Sequence, residues 1–135
     1  MSLSVTDTDA GIIFLTDSPA DIEKKFKRAV TDSDNVVAYD REKKPGVSNL
    51  LDILSVASGT PVATLVGQYT QYGKLKTETG AAVIAMIEPI RSRYLELKND
   101  PAELSRLLRI GADRAQAVAS STLARAYRAI GLAPR

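Results

Sequence analysis

A chain of 135 residues, 44% hydrophobic and 25% charged, is long enough for one soluble domain with its own core. It has no Cys and no His, which excludes disulfides, thiolate and His-dependent nucleophiles, and the commonest zinc sites. A net charge of +2 leaves nucleic-acid binding to local basic clusters, and 5% aromatics without Trp argue against a base-stacking platform.

The N-terminus shows no basic segment leading into an apolar run, and the longest apolar stretch, Ala81 to Ile87, is far shorter than a membrane span. A soluble cytoplasmic protein that meets no membrane is the expectation. Residues Met1 to Ala10 are polar. The brief apolar run Gly11 to Leu15 reads as a strand or as a packed extended segment.

Ser18-Pro19-Ala20-Asp21 then announces a helix, with a capping hydroxyl, Pro at the first helical position and an acid in the first turn. Ile22, Phe26, Ala29 and Val30 give it one apolar stripe, and the turn-forming cluster Thr31 to Asp34 predicts its end. After Lys44-Pro45-Gly46, the helical spacing of Val47, Leu50, Leu51, Leu54 and Ala57 predicts a second helix closed by Gly59. Ile53 and Val56 widen its stripe, so burial over most of its circumference is expected. Thr60-Pro61 restarts a short helix facing inward through Val62, Leu65, Val66 and Tyr69, and Tyr72-Gly73 reads as the next break.

A longer helix is predicted from about Lys76 to Lys98, with Val83, Ile87, Ile90, Tyr94 and Leu97 in line. Pro89 kinks it rather than ending it, because the stripe continues in phase. Asp100-Pro101-Ala102-Glu103 caps a last helix towards Ile130, in one piece or divided at Gly111. The fold class is all-α, a bundle of five or six helices with a short extended N-terminal segment.

On the first helix Lys24, Lys27 and Arg28 share the face opposite the stripe. They read either as a phosphate grip or as a solvated surface. Arg41, Lys43 and Lys44 add charge on the next loop, and Lys74 and Lys76 flank Tyr72-Gly73. Asp7, Asp9 and Asp17 match no cation-wrapping loop and read as part of a disordered start. Asp21 and Glu23 lie on different helix faces, and no glycine-rich phosphate loop is present. The residues alone therefore describe a soluble helical domain with no catalytic apparatus, for which a binding module is one reading.

Four blocks carry a resemblance. Lys27 to Ser33, Lys44-Pro45-Gly46-Val47-Ser48-Asn49-Leu50-Leu51, Tyr72 to Lys76 and Pro89 to Tyr94 resemble, in order, the C-terminal part of bacterial tryptophanyl-tRNA synthetases. The second block is the specific one. The resemblance implies a parent ligase that charges tRNA with tryptophan using ATP and Mg, homodimeric, with its nucleotide-binding domain preceding this region. Met1-Ser2-Leu3-Ser4 is similar to the end of the family's Lys-Met-Ser-Lys-Ser loop, with Leu3 where the phosphate-contacting Lys belongs. Ser2 and Ser4 are then remnants of the ATP loop, and Met1 to Leu3 reads as an expression scar on a truncated fragment or as native sequence of a degenerate paralogue.

The implied division is 1–17 as loop remnant and linker, and 18–135 as a helical tRNA-binding domain. The fragment itself takes no cofactor and is inactive alone, facing the anticodon region of a tryptophan-specific tRNA. Lys24, Lys27, Arg28, Lys43, Lys44, Lys74 and Lys76 are the candidate contacts. A tyrosyl-tRNA synthetase fragment, which should lack the Lys44 to Leu51 run, and a free-standing helical interaction module are the alternatives.

Overall fold

The computed structural model describes residues 11–132. They form five helices: α1 (Pro19–Arg28), α2 (Pro45–Ser58), α3 (Val62–Val66), α4 (Tyr72–Asn99) and α5 (Pro101–Ala129), with no strand among the described residues. The all-α expectation holds. Contacts divide the chain into two compact units, Met1–Ser92 and Arg93–Arg135.

The first unit holds the core. Ile22 and Phe26 of α1, Leu51 and Leu54 of α2, Leu65 of α3, and Leu75 and Val83 of α4 are all buried in one cluster. The local signals explain the elements. The Ser18 hydroxyl accepts from the Asp21 N–H at 3.2 Å, satisfying an otherwise orphaned donor of the first turn of α1. Gly59 ends α2 with φ 70°, a left-handed conformation that glycine adopts without strain.

Three expectations are corrected. Val30 does not belong to the α1 stripe: the helix stops at Arg28, Ala29 turns to an extended ψ of 132°, and Val30 is 86% exposed. Val56 is 78% exposed, so α2 buries one broad face rather than most of its circumference. Tyr72-Gly73 is not a break but the start of α4, four residues ahead of the predicted Lys76. The cause lies far along the chain: the Asn35 side-chain oxygen accepts from the Tyr72 N–H at 3.0 Å. Asn35 does this from φ 53°, a backbone region that Asn tolerates better than most residues.

The apolar run at residues 11–15 forms no strand. Ile13 packs against the core while Phe14 and Leu15 stay exposed beside a turn. Pro89 lies inside α4 as expected.

In the second unit, the Asp100 carboxylate accepts from the Glu103 N–H at 3.0 Å and starts α5. The helix runs through Gly111 undivided, and none of its 29 residues is buried.

Candidate nucleic-acid interface

The second helix begins against the segment that leaves the first. A Cβ placed on Gly46 would stand 2.2 Å from the Val30 carbonyl oxygen, a backbone atom with no room to yield. Only glycine permits this approach, which gives the Pro-Gly pair a physical reason beyond turn formation.

Beside that contact lies a polar clasp. The Tyr72 hydroxyl donates to Asp32 Oδ1 at 2.5 Å, and Lys44 Nζ lies 3.0 Å from Asp32 Oδ1, 3.0 Å from Asp34 Oδ2 and 3.1 Å from the Tyr72 oxygen. The hydrogen bond from Tyr72, then the pairing with Lys44, holds the Asp32 carboxyl down at about 2. The same contacts, Tyr72 first, raise the Lys44 ammonium above its ordinary value. Burial pushes the Tyr72 phenol up, and its bond to Asp32 adds to that. The loop after α1, the start of α2 and the start of α4 thus meet at one point.

Several of the basic residues expected to matter lie close to this point along the chain. Lys43 neighbours Lys44, and Lys74 and Lys76 lie in the first turns of the helix that Tyr72 opens. Arg28 precedes Asp32 by four residues, within about 14 Å of extended chain. Lys24 and Lys27 lie further back on α1. Among the described residues Lys24, Arg28 and Lys43 make no ion pair, whereas Lys27 has Glu23 at 3.6 Å and Lys74 has Glu78 at 3.8 Å, both exposed pairs of little strength. Lys76 is half-buried.

Lys44 behaves differently from the rest. Its side chain is only 14% exposed and faces two carboxylates, so its charge is already matched where a phosphate would need it. Ser2 and Ser4, the expected loop remnants, lie outside the described residues.

Asp17, read from the sequence as part of a disordered start, and Lys25, which sequence reasoning passed over, form a second knot. Asp17 Oδ2 accepts from Lys25 Nζ at 2.6 Å and from the Phe14 N–H at 3.0 Å, while Lys25 lies 5.0 Å from the centre of the Phe14 ring. Asp17 is thus ordered by its partners rather than part of a disordered start. Lys25 sits eight residues on, and only the helical placement of Ile22 and Phe26 inward would have turned attention to it. Arg41, which adds charge on the second loop, is tied to Asp52 at 3.0 Å and to the Tyr39 hydroxyl at 2.7 Å.

Among the described residues, no three His, Cys, Asp or Glu side chains gather in a way that suits a metal ion, and no helix is long and apolar enough to cross a membrane.

The pattern described as tRNA synthetases class I (W and Y) matches residues 1–88, and the chain belongs to that family. Within it, the similar curated proteins are of the tryptophan branch. The chain is 47% identical over 128 residues to tryptophan–tRNA ligase 1 of Streptomyces coelicolor, covering 95% of this chain and 38% of the relative. It is 50% identical over 127 residues to the tryptophan–tRNA ligase of Corynebacterium glutamicum, covering 93% and 37%. A solved tryptophanyl-tRNA synthetase from Mycoplasma pneumoniae matches with a TM-score of 0.71 at 27% identity, over 96% of this chain and 42% of that one. The chain therefore spans about two fifths of the length of the relatives it matches.

Proposed function

We propose that this chain supplies the tRNA-facing part of a tryptophan–tRNA ligase, contacting the anticodon region of the tRNA. The ligase activity, with its ATP and Mg, belongs to the longer protein, which the resemblance makes a cytoplasmic homodimer whose nucleotide-binding domain precedes this region. The observation that carries the reading is the meeting of the loop after α1, the start of α2 and the start of α4 at one clasp. Separate basic clusters are ordinary solvated surface; clusters held around one point can follow a phosphate backbone. Aromatic side chains are few, so the contacts we assign position RNA by its phosphates.

In this reading the groups that align a carboxylate with the ATP α-phosphate and stabilise the departing pyrophosphate come from the rest of the longer protein. Alone, the chain then activates no tryptophan. Leu3 offers a phosphate no charge.

The test is a titration of labelled tRNA at low salt. Binding is expected at about 10⁻⁴ to 10⁻⁶ M, falling steeply with salt. Changing Lys24, Lys27 and Arg28 together to Gln should weaken it and flatten the salt dependence, by up to about one unit of slope for each phosphate no longer neutralised. Unchanged affinity and slope would return these residues to the solvated surface.

A further inference from the structure

Lys44 stands in the most specific block of the sequence, and its exposed neighbours invite the reading that it too grips phosphate. The geometry points elsewhere: we propose that Asp32, Lys44 and Tyr72 are positioning residues for the RNA-facing surface, holding the basic clusters in register without touching RNA themselves. The inference rests on the tRNA-facing reading above and assigns these three a role that reading does not contain.

Three observations support it. The clasp joins residues 12, 28 and 40 positions apart, so it fixes segments that have no local reason to stay together. Each member is largely covered: Tyr72 is 6% exposed and the side chains of Lys44 and Asp32 are 14% and 25% exposed. The second oxygen of Asp32 is buried with no hydrogen-bond partner, so the contacts from Tyr72, Lys44 and the Asp34 N–H all fall on Oδ1. Asn35 ties the same loop to the Tyr72 backbone, and Gly46 keeps the start of α2 against residue 30. With these contacts the loop after α1 cannot slide past the start of α4. Arg28 and Lys43 then keep a fixed distance from Lys74.

Charge alone and positioning make opposite forecasts for one substitution. Asp32→Asn removes a negative charge and frees Lys44. If Lys44 were a phosphate contact masked by Asp32, or if net charge set affinity, tRNA binding would tighten. Positioning by the clasp instead weakens binding, because an amide holds neither the lysine nor the tyrosine hydroxyl as a carboxylate does.

The experiment measures labelled tRNA binding to the whole chain across a salt series, well below the thermal midpoint of each variant. The parent, Asp32→Asn, Tyr72→Phe and the Lys24/Lys27/Arg28→Gln triple are compared. Tyr72→Phe keeps the net charge and the buried ring and removes only the hydroxyl, so it serves if Asp32→Asn does not fold. Weaker binding with a shallower salt slope in Asp32→Asn or Tyr72→Phe, with helical circular dichroism retained, supports positioning. Tighter or unchanged binding in both overturns it. The triple separates the two levels: a weakened triple beside an unaffected clasp defeats only this inference. A triple and clasp variants all indistinguishable from the parent defeat the tRNA-facing reading with it.

Discussion

Helices α2 and α5 look alike in sequence and differ in the folded chain. Each carries apolar residues at helical spacing behind a Pro at its start. Along α2, Val47, Leu50, Leu51 and Leu54 are buried to 3% exposure or less. Along α5, Leu108 is 64% and Val118 79% exposed, and nothing is buried. The first unit closes its own core; α5 presents an apolar face of comparable spacing to solvent. Periodicity declares that a face can be covered. It says nothing about whether the covering residues belong to the same unit.

The largest test of that contrast is truncation inside the core. Leu54→Ala should cost roughly 2 to 5 kcal/mol by chemical denaturation, the usual range for a leucine cut from a closed interior. A midpoint equal to the parent's would show that α2 is peripheral and that the two helices are alike after all.

Acid should act on the first unit through Asp32. Asp32 is held at about 2 in the folded chain against an ordinary value of 3.8. A carboxyl depressed on folding stabilises above its unfolded value, and that contribution is lost as pH falls through the folded one. Between about pH 4 and 2 the parent should lose stability that Asp32→Asn does not lose over the same interval. Parallel acid titrations of the two would show that the clasp does not hold the loop.

The smallest effect is expected on α5. Leu108→Ala lies on an exposed face and should move stability by no more than about 0.5 kcal/mol. A loss near that of Leu54→Ala would mean that the face is covered in solution, and the contrast between the helices would fail.

Much of this architecture was legible in the sequence, for local reasons. Ser18-Pro19, Gly59 and Asp100-Pro101 set helix ends through bonds or backbone conformations within three residues, and these ends fell where expected. The errors came from distance. The start of α4 depends on Asn35, 37 residues away, and the stripe of α1 was overextended to Val30 because the chain turns out at Ala29 towards Gly46.

The candidate surface followed the same division. Basic residues are visible in any sequence, but their meeting at one place depends on the clasp. Lys44 could not be told from Lys43 by charge, since only the fold turns one towards Asp32 and leaves the other exposed. Asp17 was misread and Lys25 went unread because their pairing depends on the turn of the chain before α1.

The anticodon-facing role is tested most directly by where the chain touches RNA. Hydroxyl-radical footprinting of a tryptophan tRNA transcript, with the chain near saturation at low salt, reports backbone protection nucleotide by nucleotide. Protection should concentrate on the anticodon arm and diminish in the Lys24/Lys27/Arg28→Gln variant. Uniform weak protection along the whole transcript, or protection confined to the acceptor end, would contradict that role.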